Sequence, residues 1–190
     1  MAKKNIIEEE FKIISLEQYK TFASRTNADM GSKDLNTDHM ISGIITEIGE
    51  LNDIYKKELA YKKEVDVVNV IEEWADQMWY LANESLNKNY RFQPEQNYLD
   101  FFRRTLKNKT NIQLTGIESI RILNSAMFKK DYLTMYVSYL FYIAERLDIN
   151  VLDALTKNIL KLAKRFGSKF SEIKALNRDL EEERKVLESK

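Results

Sequence analysis

Turn-forming residues are scarce in this chain, which has five glycines and one proline in 190 residues. A β-sandwich or β-barrel of this length needs many turns, and glycine and proline make most of them. Apolar residues instead recur every three or four positions over long stretches, as on the buried side of an amphipathic helix. The sequence therefore predicts an all-α helical bundle, and at this length a single domain over residues 1–190.

The apolar periodicity divides this bundle into successive helices, with a break at Pro94 and a stop at Gly167. We expect Ser15 and Asp38 to be the N-caps of the first two helices. The tract 107–116 is expected to be a loop, and the charged tract 177–190 a solvated helix or tail. The predicted helices are 15–27, 39–60, 65–88, 98–108, 115–130, 131–148 and 151–166.

Two acidic pairs lie inside the two most apolar of these helices. Glu47 and Glu50 belong to the second helix, and Glu73 and Asp76 to the third. Residues three apart share a helix face, so each pair can converge on one point. A carboxylate in a buried stripe is costly unless something compensates it. Two such helices side by side would therefore offer four carboxylates to one hard cation.

The alternative is that these acids merely decorate solvated helix faces, since a Glu-x-x-Glu pattern by itself carries no signal. Glu72, for example, is expected to be solvent-exposed. The position of an acid within the apolar stripe decides between the two interpretations. Glu47 lies between Ile44 and Leu51 at helical spacings, so it falls inside the stripe. This placement favours a metal site.

The ligand types narrow the choice of metal. A set of carboxylates with no soft ligand suits Mg²⁺, with Mn²⁺ as a substitute. The rival carboxylate centre of helical bundles, the di-iron type, needs two Glu-x-x-His motifs. This chain has one histidine, His39, and no such motif, so a di-iron centre is excluded. We expect His39 to be a helix-start or polar-contact residue and not a ligand.

Charge and composition exclude several other classes of function. Lys+Arg and Asp+Glu both number 30, so no global field favours nucleic acid or an anionic membrane as a partner. The absence of cysteine excludes thiolate catalysis and cysteine-ligated zinc. The acidic N-terminal tract is not a signal peptide, and no apolar run is long enough for a membrane span. We expect a soluble, cytoplasmic protein.

The acidic pattern also resembles that of a known family. The spacing Glu-x-x-Glu, 22 residues, Glu-x-x-Asp is similar to the signature of the MazG-like all-α nucleoside triphosphate pyrophosphohydrolases. GIITEIGELNDIYKKE and NVIEEWADQMWYLA resemble the two metal-binding helices of that superfamily, especially those of its phage and prophage members. LEQYKTFASRT resembles its first helix, and NILKLAKRFGSKF with ALNRDLEEER its last helix and tail. Trp74-Ala75 departs from the Leu-Gly that relatives often carry there, which bears on the pocket shape.

The resemblance covers 15–88, the metal-binding half, and 145–184, the last helix and charged tail. Between them, 89–144 contains helices that short family members lack. A longer chain with a degenerate second module is similar to the dimeric dUTPases. The tract LNDIYKK in the first half also echoes LNSAMFKK in the second. If the echo is a duplication and not a chance likeness of amphipathic helices, Ser119, Ile122 and Ser138 stand where Glu47, Glu50 and Asp76 stand, and only the first half keeps its acids.

The resemblance implies an activity: cleavage of a nucleotide between its α- and β-phosphates, which yields the monophosphate and pyrophosphate. It implies that Glu47, Glu50, Glu73 and Asp76 hold Mg²⁺ bridging the triphosphate, with Glu47 also orienting the attacking water.

The same resemblance implies the contacts of the nucleotide. Tyr80 would contact the sugar or base, whereas Asn158, Lys161 and Arg165 would bind the phosphates. A homodimer or a dimer of dimers is expected, and a second hairpin within one chain would favour the smaller assembly.

Two alternatives stay open. Within enzymes, the alternative is a dUTP or dCTP diphosphatase with a narrow base preference. In another class, it is a catalytically inactive helical interaction protein.

Overall fold

The computed structural model describes residues 11–127, 132–167, 170–171, 175, 177 and 179–189. Every regular element among them is helical, and they contain no strand, so the predicted all-α fold is confirmed. The helices are α1 Leu16–Arg25, α2 Lys33–Tyr61, α3 Val67–Asn87, α4 Gln96–Thr105, α5 Asn111–Gln113, α6 Ser119–Met127, α7 Tyr132–Arg146, α8 Val151–Phe166 and α9 Leu180–Glu188. A π-helical turn at Leu114–Glu118 links α5 to α6.

Helix α3 is the centre of the bundle, as its all-round apolar pattern predicts. It forms a hairpin with α2 and also packs against α1, α7, α8 and α9. Trp74 is fully buried, and its indole Nε1 donates to the Leu140 carbonyl of α7 at 2.8 Å. Gln77, one turn further on, accepts from the Tyr136 hydroxyl at 3.0 Å. The helix that carries the second acidic pair is therefore anchored from several directions.

The start of α2 differs from the prediction. The helix begins at Lys33 and not near residue 39, and Ser32 is its N-cap, with its hydroxyl accepting from the Leu35 N–H at 3.2 Å. Gly31, with φ at 84°, turns the chain into this cap. Asp38, the predicted cap, is an exposed residue inside the helix. The polar residues before residue 39 predict a loop because their helix propensity is low. The N-cap at Ser32 outweighs that low propensity, so these residues form the start of α2.

The tract 107–116 is also less loop-like than predicted. Thr110 and Gln113 form a reciprocal capping box that starts α5 at Asn111. The carbonyl of Leu114, in the π-helical turn, then accepts from the hydroxyls of Ser119 and Tyr139, both at 2.6 Å. These two hydroxyls tie the π-helical turn to α6 and α7.

The C-terminal tract is helical, as one of the two expectations had it, but it is not solvated all round. Helix α9 packs against α8 and α3 and buries Glu183 and Leu187. Asp179 is its N-cap, accepting from the Glu182 N–H at 3.1 Å. The buried face of α9 was not predictable from the high charge of this tract. One of the buried residues is itself an acid, and it forms an ion pair with a residue of α8.

The second hairpin, α6 with α7, packs beside α2 and α3. Ser119 and Ser138, which align with Glu47 and Asp76, are buried. The Ser119 hydroxyl donates to the Leu114 carbonyl, and that of Ser138 to the Thr134 carbonyl at 2.7 Å. If the two hairpins are a duplication, these backbone-bonded hydroxyls stand where the first hairpin has acids. The duplication itself stays a prediction.

No helix within the described ranges combines the length and the apolar character that crossing a membrane requires.

Helices α2 and α3 approach closely at Gly43. A Cβ atom there would lie 2.1 Å from Cε1 of Tyr80, whereas one at Gly49, on the same helix, would meet nothing within 4 Å. We expect Gly43→Ala to lower the free energy of unfolding by about 1–3 kcal/mol through overpacking. Gly49→Ala should raise it by about 0.5–1 kcal/mol, because alanine is the better helix former. Urea unfolding of both variants measures the difference, and equal stabilisation by both would contradict this packing.

Candidate metal centre

Three of the four predicted ligands come together in the structure. Carboxylate oxygens of Glu47, Glu73 and Asp76 all lie within 4.8 Å of one another, close enough to hold one metal ion. Glu47 comes from α2, and the other two lie one turn apart on α3. Glu50 stands outside this cluster, as an exposed residue one turn beyond Glu47. We call Glu47, Glu73 and Asp76 the acidic triad.

The acidic triad opens into a cavity of about 630 Å³. Glu50, Asn69 and Glu72 also line this cavity, so one part of its lining is rich in oxygen ligands. The remaining lining is mostly basic, aromatic or apolar, with the polar Thr26 and the acidic Glu183 among it. It includes His39, Trp79, Tyr80, Lys161, Leu162, Arg165, Phe166, Phe170, Arg184 and Leu187. Such a cavity can take a ligand that has both a charged and a flat apolar part.

Two members of the triad have pKa values that are raised by burial and by the neighbouring carboxylates. Burial, followed by the nearby Asp76 carboxylate, raises the pKa of Glu47 to about 7. The pKa of Glu73 is raised further, by burial and by a hydrogen bond with Glu47. Within the described ranges, neither side chain forms an ion pair. Three crowded carboxylates with only oxygen ligands fit a hard divalent cation, which would remove this repulsion.

Asp76 is held very differently. Lys161 of α8 donates from Nζ to both of its carboxylate oxygens, at 2.6 and 2.8 Å, and Asn158 donates from Nδ2 at 2.5 Å. The Asn158 carbonyl oxygen in turn accepts from the Tyr19 hydroxyl of α1 at 2.9 Å. Asp76 is therefore oriented by a chain of side chains from two other helices, as a metal ligand usually is.

Lys161 is 1% exposed, and its Nζ also donates to Glu72 at 3.0 Å. Burial opposes its charge, but the carboxylates of Asp76 and Glu72 raise its pKa overall. Glu72, expected to be solvent-exposed, has 16% of its side chain exposed because it takes part in this pairing. Lys161 and Asn158 thus orient Asp76, and their predicted contact with phosphates stays a prediction.

The other two predicted nucleotide contacts, Tyr80 and Arg165, line the cavity. The Tyr80 ring lies edge-on to Trp79 and to His39, with centroids 5.0 and 6.0 Å apart. Burial, with the charge of Glu47 next, raises the pKa of Tyr80 to about 12, so its hydroxyl stays protonated. Arg165 forms an ion pair with Glu183 of α9.

Sequence reasoning missed several residues of this site. Tyr19 shares a helix face with Phe22 and Ala23, and nothing in the sequence distinguishes its hydroxyl from a packing residue. Glu72 was missed because its cation comes from α8, far along the chain. The tail containing Glu183 did carry a signal, its resemblance to a family tail, but no role followed from it.

Comparisons of this chain with models of protein families, with curated proteins and with solved structures found no match. The resemblance to the MazG-like pyrophosphohydrolases therefore rests on the acidic motif and on the sequence that flanks it. The acidic triad stands independently of that resemblance.

The triad predicts a pH-dependent stability. The pKa values of Glu47 and Glu73 are higher in the folded protein than their ordinary value of 4.5. The folded state then binds more protons at these two groups, so their contribution to the free energy of unfolding is fully present below about pH 4.5 and is lost as pH rises through their folded values of about 7 and about 10. Thermal melts at pH 5 to 9 without divalent ions should show this fall. Mg²⁺ should raise the melting temperature more at pH 8 than at pH 6.

In the same melts, Glu47→Gln should flatten the pH dependence, whereas Glu58→Gln, an exposed change on the same helix, should leave it unchanged. An identical pH dependence in the Glu47→Gln variant would contradict the assigned repulsion.

The buried cation can be tested separately. Lys161→Met leaves Asp76 and Glu72 without their partner, and we expect it to lower the free energy of unfolding by about 3–5 kcal/mol. Lys157→Met, one turn earlier, removes only a bridge to the exposed Asp153 and should cost about 1 kcal/mol or less. Denaturant unfolding compares the two, and similar losses would show that Lys161 is not needed to balance these acids.

Proposed function

We propose that this protein hydrolyses a (deoxy)nucleoside triphosphate between its α- and β-phosphates, with Mg²⁺ as cofactor, to the monophosphate and pyrophosphate. The observation that carries the proposal is the convergence of Glu47, Glu73 and Asp76 from two helices onto one cavity. That cavity also presents Arg165 and Tyr80, side chains suited to phosphates and to a base.

Mg²⁺ fits this donor set better than a softer metal. The triad offers only carboxylate oxygens, and Asn69 and Glu50, in the same lining, add further oxygen donors. Mg²⁺ prefers oxygen and is bound in nucleotide enzymes by a few carboxylates together with the substrate phosphates. We keep Glu50 as a fourth ligand in this proposal, because it lies one turn from Glu47 and faces the same cavity. When bound, the ion would neutralise phosphate charge and acidify a water molecule.

We assign to Glu47 the role of orienting the attacking water molecule. Its carboxylate comes from α2 and lines the cavity beside the other two acids, where it can accept a proton from a water molecule. Glu73, with its higher pKa, hydrogen-bonds to Glu47 and so fixes its orientation. Asp76 is held in place by its ion pair with Lys161.

The remaining contacts follow from side-chain chemistry. The Arg165 guanidinium is a fork donor that matches phosphate oxygens. Tyr80 and Trp79 form an edge-to-face aromatic pair beside the triad, where a sugar or base would lie. We propose that the active form is a homodimer or a dimer of dimers. Since two hairpins already pack within one chain, we favour the smaller assembly.

The proposed activity has a direct test. Purified protein is incubated with each common nucleoside triphosphate and with dUTP, in Mg²⁺, and the products are separated. We expect monophosphate and pyrophosphate. Glu47→Gln should lower kcat by about 10²- to 10⁴-fold, the usual contribution of a general base. Glu58→Gln, exposed on the same helix, should keep full activity.

The products distinguish the alternatives. Release of orthophosphate would contradict cleavage between the α- and β-phosphates. Turnover of dUTP or dCTP alone would indicate a base-selective diphosphatase. No turnover of any nucleotide, together with no Mg²⁺-dependent nucleotide binding in calorimetry, would favour a helical interaction protein.

A further inference from the structure

We propose that Glu183 is a positioning residue for substrate phosphates: it holds the Arg165 guanidinium at the cavity, and helix α9 thereby forms one wall of the nucleotide site. This inference rests on the proposed function and assigns a role to a helix that the acidic motif does not include. Leu180, Glu183, Arg184 and Leu187, all from α9, line the same cavity as the acidic triad.

The geometry of the pair is side-on. Arg165 donates from Nε to Oε1 of Glu183 at 2.7 Å, and from Nη2 to Oε2. This arrangement uses one edge of the planar guanidinium. Within the described part of the chain, Nη1 of Arg165 has no hydrogen-bond partner, so the opposite edge keeps donors for a ligand. A planar fork fixed along one edge presents the other in a defined direction.

Burial makes this orientation rigid. The side chains of Arg165 and Glu183 are 14% and 5% exposed. A second anchor lies further along α9, where Arg184 donates to both carboxylate oxygens of Asp66, the N-cap of α3, at 3.0 Å each. Helix α9 is therefore tied both to α8 and to the start of the helix that carries Glu73 and Asp76.

The charges around the cavity explain why Arg165 would be needed there. Lys161 is paired with Asp76 and Glu72, and Arg184 is paired with Asp66 and Glu188. Among the described residues, Arg165 is paired with a single carboxylate, that of Glu183. Among the described lining residues it is thus the cation with the most capacity left for a phosphate.

A purely structural role, pinning α9 onto α8, makes a different prediction. The chain provides a matched control in Lys164 and Glu182, which join the same two helices at 2.7 Å. That pair is exposed, and neither residue lines the cavity. Removing either bridge should loosen α9, but only the Arg165–Glu183 pair should alter contacts with phosphate.

The test compares Glu183→Gln with Glu182→Gln in steady-state hydrolysis and in calorimetry with magnesium pyrophosphate. We expect Glu183→Gln to raise KM, and the dissociation constant of magnesium pyrophosphate, about 10- to 100-fold, the loss of one charge-assisted contact. Its kcat should change far less, and the affinity for a nucleoside should not change. Glu182→Gln should leave all of these values unchanged. In an Arg165→Gln background, Glu183→Gln should have no further effect on KM.

Unchanged KM in a folded Glu183→Gln variant, with only a lower melting temperature, would overturn the proposal. If that variant does not fold, Glu183→Asp keeps the charge but shortens the side chain, and it should still raise KM. A wild-type KM in Glu183→Asp would then overturn the proposal. If the wild-type chain hydrolyses no triphosphate, the proposed function fails separately. Calorimetry with magnesium pyrophosphate then decides the role of Glu183: equal binding by wild type and variant, or no binding by the wild type, overturns it.

Discussion

The buried pairing of Lys161 with Asp76 is the interaction on which the site depends. It places a positive charge from α8 against the last acid of the triad, at 2.6 Å, in a position that is almost closed to solvent. Taking a lysine out of water is costly, and only well-placed carboxylates offset that cost. The position of α8 against α3 is therefore tied to this ion pair.

The other two acids are balanced in a different way. Glu47 and Glu73 share a hydrogen bond and have raised pKa values, which is how a protein accommodates crowded carboxylates that lack a cation. The site therefore consists of one acid that is paired with a cation and two acids that repel each other. A cation held between Glu47, Glu73 and Asp76 would relieve this repulsion.

Local rules predicted much of this fold. The helical period located α3 and its central place, because a helix that is apolar all round must be covered on all sides. Ser15 was correctly identified as the cap of α1, since its hydroxyl accepts from the Gln18 N–H. The predictions for the start of α2 and for the tract before α6 were wrong for one reason. The caps Ser32 and Thr110 outweigh the low helix propensity of the residues that follow each of them.

The candidate site was predictable in part. That Glu47 and Glu73 converge follows from their places in two apolar stripes joined by a short turn. The partners of Asp76 were not predictable, because Asn158 and Lys161 lie more than 80 residues further along the chain, and their side chains could equally have faced a ligand. The role of α9 was hidden for the same reason. Its charges resemble a solvated surface until Arg165 and Asp66 are seen opposite them.

The sequence by itself determined the helices, the hairpin and the acids within its stripe, because helical periodicity and capping act over only a few residues. Tertiary structure alone decided that Glu50 stands outside the triad, which side chains pair with Asp76, and whether the last helix covers the cavity. Those outcomes depend on the register between helices far apart in the chain.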